Sequence, residues 1–321
     1  MLTFFLKRLG HALGLLLAVI IMNFLLIHLS PGDPVETIAG AMGGITEELK
    51  QELRQQFGLD QPFIVQLGIY LSKIIQGDFG FSYFFNTPVS ELIIERLPAT
   101  ILLVVTAVLA AFLVGTFMGT LAARKPNGLL SQVVTVLSIV GYSAPVFWTG
   151  IMLIILFASV IPIFPVSDMR SPGSESTGLA DLLDVLHHLV LPAFTLAFVY
   201  IAQYSRLARA SMLETLGADF IRTARAKGLS EFVVLYKHAL RNSILPVVTM
   251  LGMQFGNVLA GAILVETVFN WPGLGRLAFD SVLRRDHPTL LGILFFASLL
   301  VIVMNQVTDW MYRVIDPRIR P

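Results

Sequence analysis

Residues 206–242 read RLARASMLETLGADFIRTARAKGLSEFVVLYKHALRN, a basic, helix-prone stretch punctuated by Gly228. Apolar Phe220, Ile221, Ala224, Phe232, Val233, Leu235 and Leu240 are interleaved with the cations Arg222, Arg225, Lys227, Lys237 and Arg241. On either side the sequence changes character. Residues 189–207 and 244–265 are almost wholly apolar, and each is close to the roughly 20 residues a helix needs to cross a bilayer. The stretch between them is expected to form two short helices hinged at Gly228, with one mixed apolar and basic face toward the cytoplasm. A solvated loop that snorkels its cations to lipid headgroups accounts for the charge. A helix that docks in a partner's groove accounts also for the length, and for a glycine set between two helix-prone halves.

Working outward, residues 9–29, 100–123, 133–161 and 290–311 have the same apolar character, which predicts an all-α membrane protein with six transmembrane helices. Composition agrees: the chain is 55% hydrophobic and only 13% charged, where soluble domains carry about a quarter charged residues. The apolar run after Lys7 and Arg8 is too long for the core of a signal peptide and lacks a small-residue cleavage site, so it reads as a retained first span. An even number of spans puts both termini on one side. That side collects Lys7, Arg8, Arg124, Lys125, Arg206, Arg209, Arg222, Arg225, Lys227, Lys237, Arg241, Arg313, Arg318 and Arg320, which predicts that it is cytoplasmic. Residues 30–98 then form an extracytoplasmic helical segment. Within it, Thr46 caps a helix opened by Glu47 and Glu48 and ended by Gly58 and Pro62, and the short apolar stretch 62–76 lies along the membrane surface. Residues 162–184, rich in Ser, Pro and Gly, read as an irregular external loop.

Several chemistries are excluded. Without cysteine there is no disulfide, thiolate metal site or Cys nucleophile. There is no HExxH pair, and His187 and His188, adjacent and on different sides of a helix, are expected in solvated or interfacial roles rather than on a metal. The dipeptide Gly-Lys is absent, so there is no Walker A nucleotide loop. Residues 273–278 fit GxGxxA, but they follow a span and Trp271-Pro272 rather than a strand, so the dinucleotide reading is discarded. No dense Lys/Arg block points to nucleic acid.

Polar residues in the spans are Asn23, His28, Tyr142, Ser143, Gln203, Gln254, Asn257, Asn305, Gln306 and Asp309. Gln254 and Asn257, beside the glycines of span five, and Tyr142 and Ser143 in span three are the candidates for lining a translocation path. Interhelical hydrogen bonding is the alternative for each. The pairs Gly115/Gly119 and Gly252/Gly256 are expected to mark close helix packing, and residues 141–145 to kink span three. Glu266 is expected to stabilise a closed gate or to face a binding protein.

The segment Arg222-Thr223-Ala224-Arg225-Ala226-Lys227-Gly228 resembles the EAA-type loop of ABC importer permeases. Asp219 through Leu229, with His238-Ala239-Leu240-Arg241-Asn242, is similar to the dipeptide/oligopeptide/nickel branch of that family, nearest to the B-type subunit of dipeptide permeases. The likeness extends to Ser30-Pro31-Gly32-Asp33-Pro34, Gly77-Asp78-Phe79-Gly80, Arg96-Leu97-Pro98-Ala99-Thr100, Gly141-Tyr142-Ser143-Ala144-Pro145, Pro246-Val247-Val248-Thr249, Glu266-Thr267-Val268-Phe269, Pro272-Gly273-Leu274-Gly275-Arg276 and Asp316-Pro317-Arg318. The general pattern has an acid at the position of Arg222 and a proline at that of Arg241.

The resemblance implies a single permease domain over residues 1–321 with type I ABC importer architecture in the inner (plasma) membrane. It implies a second homologous permease subunit, two cytoplasmic ABC ATPases that bind the ATP and Mg, and an extracytoplasmic substrate-binding protein; this chain holds no cofactor and is no enzyme. A coupling helix at about residues 222–231 would seat in an ATPase groove through Arg222, Thr223, Ala224, Arg225, Lys227, Gly228 and Leu229. Ala224 and Gly228 would allow close backbone approach, and the cations would pair with acids at the groove rim. Di- or oligopeptides are the implied substrates, with nickel or another small solute as the alternative. A secondary transporter working alone would show repeat symmetry and paired intramembrane charges, and neither is found. An intramembrane enzyme would need a nucleophile–base pair, and His28 has no such partner in the sequence.

Overall fold

The computed structural model describes residues 2–29, 34–41, 44, 46–56, 60–173 and 177–315. Residues 30–33, Gly58 and residues 316–318, which carry three of the sequence expectations, lie outside the described residues. Among the described residues, three helices are long and apolar enough to cross a membrane, or up to five if each of two bent pairs counts as one span. The chain divides into two compact units, Met1–Pro98 with Arg276–Val303, and Ala99–Gly275 with Met304–Pro321.

The first unit opens with α1 (Leu2–Leu29), α2 (Pro34–Ala41), α3 (Glu47–Gln56) and α4 (Phe63–Ile75). A short antiparallel hairpin follows, β1 (Phe81–Ser82) against β2 (Thr87–Pro88), with Ser82 opposite Thr87. The unit also takes the start of α5 (Val89–Arg124), most of α12 (Leu274–Arg284) and the first half of α13 (His287–Ile315). Thr46 caps α3 as expected, its hydroxyl accepting from the Leu49 N–H at 3.4 Å. His28 of α1 bonds Gln66 of α4 at 2.8 Å, while Phe24 meets Phe63 edge-on with ring centroids 5.0 Å apart. That packing leaves Ile64 and Ile75 on the far side of α4, 81% and 82% exposed, the apolar face expected of a helix lying on a membrane. Asp286 caps α13: it accepts from the Thr289 hydroxyl at 2.7 Å and also from Ser82 of the hairpin at 2.5 Å.

The second unit holds the rest of α5, α6 (Leu129–Ser143), α7 (Val146–Ile154) running into a π-helical turn at Ile155–Val160, α8 (Leu179–Leu216), α9 (Asp219–Ala226), α10 (Glu231–Val233) with a π-helical turn at Val234–Ala239, and α11 (Leu240–Val268). Its core gathers Leu103, Leu196, Tyr204, Val258, Phe269 and Trp271, all nearly or fully buried. Gly115 and Gly119 let α5 press on α8: a Cβ at the first would lie 2.6 Å from Tyr204 Cβ, and at the second 2.4 Å from the Ser205 carbonyl. No side chain fits there, so this pair is the packing seam expected of it.

Four expectations are corrected. The stretch 133–161, expected as one helix with a kink, is broken into two helices meeting at 107°. Pro145 lacks an N–H and forces Ala144 into extended backbone (φ −77°, ψ 129°), which ends α6 outright. The helix of span four is far longer than residues 189–207. It starts at Leu179, so the irregular loop stops at Gly178, and it runs through to Leu216. Its first turns are fixed from outside by Arg170 on Asp181 (2.6 Å) and by the Ser171 N–H on Asp184 (2.8 Å). At Gly256 a Cβ would have nothing within 4 Å, so there the second glycine pair faces open space rather than a packed neighbour. His188 is buried, its ring nitrogen on the Asp184 carbonyl at 2.9 Å, whereas His187 is exposed as expected.

Candidate functional site

The basic stretch resolves into the end of α8, then α9, the Gly228 turn, and a second helical half, α10 with its π-helical turn, that runs into α11. The helix expected at about 222–231 lies earlier, at Asp219–Ala226. Gly228, at φ +77°, stops it: its N–H donates to the Arg225 carbonyl (2.9 Å) and the Leu229 N–H to that of Ala224 (3.4 Å). These paired bonds satisfy the last carbonyls and require a left-handed residue, which glycine adopts without steric cost. The positive φ alone accounts for the glycine, since a Cβ there would meet nothing within 4 Å.

α9 stands on a small core of its own. Ile221 (0% exposed) and Ala224 (6%) turn inward onto Met212, Val234, Leu235 and Ala239. Ala224 is therefore a buried support within this chain, not a surface for close approach by a partner. The outward set is Arg222, Thr223, Arg225, Lys227, Gly228 and Leu229, joined by Phe220 and by Phe232 at 71% exposure. Arg225 reaches over the glycine turn to clasp Glu231 with two bonds, 2.8 and 3.3 Å. The Arg225 guanidinium holds the Glu231 carboxyl below the usual glutamate range. Arg222 lies 3.4 Å from Asp219 on the exposed side. The helix and the turn after it thus present cations outward from a braced position, flanked by the exposed rings of Phe220 and Phe232.

A second site gathers around Glu266, expected to stabilise a closed gate or to face a binding protein, and the discarded nucleotide motif that follows it in sequence. Glu266, at 0% exposure, accepts from the Thr100 hydroxyl (2.7 Å) and from the Gly275 N–H (2.7 Å), while the Leu274 N–H donates to Thr100 (2.7 Å). Trp271 locks the turn, its indole N–H on the Ala99 carbonyl at 2.9 Å. Gly273 and Gly275 are glycine because the Glu266 carboxylate and α11 leave no room for a Cβ. These two glycines seat a side-chain carboxylate, not a pyrophosphate.

The path candidates divide. Gln254 of α11 donates to Gln203 of α8 at 2.7 Å, and Asn257 donates to Gln254 at 3.2 Å, so two of the four expected residues join a third in one row. Tyr142 and Ser143 are exposed and sit apart from it in the bonding pattern; Arg206 stacks over the Tyr142 ring at 5.3 Å.

The fold defined by these helices is shared with a chain of the inward-facing MetNI methionine ABC transporter, at TM-score 0.56 and 14% identity, covering 70% of this chain and 96% of that one. The fold class is therefore the all-helical one of that transporter chain. Within it, the chain belongs to the family of binding-protein-dependent transport system inner membrane components: that family's model matches residues 115–321, and the model of the family's N-terminal part matches residues 1–104. Among its relatives, the dipeptide transport system permease protein DppB of Escherichia coli strain K12 is 40% identical, over 100% of this chain and 99% of that protein. The oligopeptide transport system permease protein AppB of Bacillus subtilis strain 168 is 36% identical over 99% of each. The di/tripeptide transport system permease protein DppB of Pseudomonas aeruginosa strain UCBPP-PA14 is 39% identical over 100% of this chain and 99% of that protein.

Proposed function

We propose that the chain is one of two membrane-spanning subunits of an ATP-driven importer that takes di- or oligopeptides from an extracytoplasmic binding protein. In this reading the first helix, the broken α6–α7 pair and α11 each count as one span. That makes six, with residues 30–98 outside, both termini in the cytoplasm and residues 206–242 facing two partner ATPases. The observation that carries it is α9 with the turn and α10 after it: a short helix braced on its own core and stopped by a left-handed glycine, with Phe220 and Arg222 of α9, Lys227 of the turn and Phe232 of α10 outward. A helix held rigid against its own subunit passes a push from an ATPase groove into α8 and α11, whereas a loose amphipathic loop would absorb it. Peptide as the substrate rests on the full-length likeness to the named peptide permeases. Neither ATP nor Mg binds this chain.

The test is reconstitution with a second permease subunit, the ATPases and the binding protein in proteoliposomes. Uptake of dipeptide that requires ATP and every partner is the expected result. Uptake by the chain without an ATPase, or labelling of a cysteine placed at position 222 from outside intact cells, would overturn the reading.

A further inference from the structure

We propose that Gln203, Gln254 and Asn257 form a row that holds the main chain of a peptide in transit; this rests on the peptide-importer reading above. The row has a direction. Asn257 Nδ2 donates to Gln254 Oε1, and Gln254 Nε2 donates to Gln203 Oε1. One end is therefore an amide nitrogen on Gln203 and the other an amide oxygen on Asn257, and among the described residues neither bonds anything further. Turning all three amides over reverses the direction but keeps one donor end and one acceptor end. A peptide main chain offers C=O acceptors and N–H donors in turn, so it has a partner for each end.

Exposure supports a ligand-facing role. Gln254 is 7% exposed, Gln203 half-buried and Asn257 exposed, so the row runs from between α8 and α11 to an open surface. Beside Asn257, Gly256 leaves that surface free of side chain. An amide left open against hydrocarbon is strongly unfavourable, so this part of α11 faces water or polar partners rather than lipid. A bond made only to join two helices would need Gln203 and Gln254 and no exposed third member.

The chemistry selects a class of ligand. Neutral amides neither trap nor repel a charged side chain, so the row can serve peptides that share nothing but a main chain. A bare transition-metal ion would require imidazole, carboxylate or thiolate donors, and the row has none.

The experiment uses the full importer in proteoliposomes with Gln203→Met and Asn257→Leu, which keep bulk and remove the hydrogen bonds. Uptake is measured for a dipeptide and for its form methylated on the peptide nitrogen, alongside retention of each by the binding protein, ATPase rate and unfolding temperature. Each variant is expected to lose about five- to tenfold in dipeptide uptake per ATP. Wild type should lose a similar factor on the methylated peptide, and Asn257→Leu should lose nothing more on it. If both variants transport both peptides as wild type does, the proposal fails while the importer reading stands. Parallel falls in uptake, ATPase rate and unfolding temperature with an unchanged methylation penalty would also overturn it, because that pattern belongs to a structural bond. A wild-type complex that takes up no peptide sinks the importer reading and this inference with it.

Discussion

The carboxylate of Glu266 occupies the space in which a side chain at position 273 would begin: a Cβ built on Gly273 falls 2.3 Å from its carboxyl carbon and from both oxygens. Thr100 and the Gly275 N–H hold the carboxylate in place, so it cannot swing aside without breaking two buried bonds. Gly273→Ala is expected to cost about 1–3 kcal/mol through overpacking, seen as a lower unfolding temperature in detergent. Glu266→Ala in the same chain removes the clash, so the double variant should lose less than the sum of the singles. Strict additivity would mean that the two residues do not meet.

Gly228 is constrained by backbone alone. Left-handed φ costs a residue with a Cβ about 1–2 kcal/mol, most for a β-branched one. Gly228→Val should insert and accumulate normally yet lose about fivefold or more in uptake per ATP hydrolysed, whereas Gly228→Asn should stay near wild type. Normal transport by the valine variant would count against a stopped, braced helix.

Inward and outward residues of the same stretch should fail differently. Ile221→Ala opens a cavity under α9 and is expected to cost about 2–4 kcal/mol. Phe232→Ala, on an exposed ring, should change stability by no more than about 0.5 kcal/mol while weakening capture of the ATPase subunits in a pull-down. Equal effects on stability would contradict the two-faced arrangement.

The Arg225–Glu231 clasp should respond to acid. Glu231 titrates below the ordinary glutamate range in the folded chain, so its contribution is present above the unfolded value and disappears as pH falls through the folded one. Protection of the α9 amides, taken relative to their intrinsic exchange at each pH, should fall over that acid window in the native chain, and Glu231→Gln should already be less protected at neutral pH. Identical pH profiles for the two would rule the clasp out as a support.

Asp286 serves a helix and a hairpin at once, through Thr289 and Ser82. Asp286→Ala should cost about 0.5–2 kcal/mol as a lost cap and should open residues 81–88 to protease. Asp286→Asn, which still accepts, should keep most of both, and unchanged cleavage in the alanine variant would show that Ser82 does not depend on it.

Much of this was legible in the residues because it depends on local composition. Apolar runs located α5, α8, α11 and α13, Thr46 announced the start of α3, and Gly228 announced a break between two helical halves. Boundaries were less legible. α8 continues past Arg206 because nothing in residues 206–216 breaks a helix, so a change from apolar to basic was mistaken for a change of structure. Residues 144–145 read as a kink, although a proline preceded by extended backbone can turn a chain by far more. Ala224 was placed outward because a small residue suits close approach in either direction, and only packing decides which.

The order of amino acids by itself determined that the solvent is lipid, that the segment 206–242 is basic, and that it is broken at Gly228. Those follow from hydropathy, charge and backbone sterics within a few neighbouring residues. Tertiary structure decided that Glu266 sits on two glycines, that Ile221 and Ala224 prop α9 from beneath, and that Gln203 joins Gln254 and Asn257. In each case the partners come from different helices or from opposite ends of a turn, and their meeting depends on which helix faces pack together rather than on any local pattern.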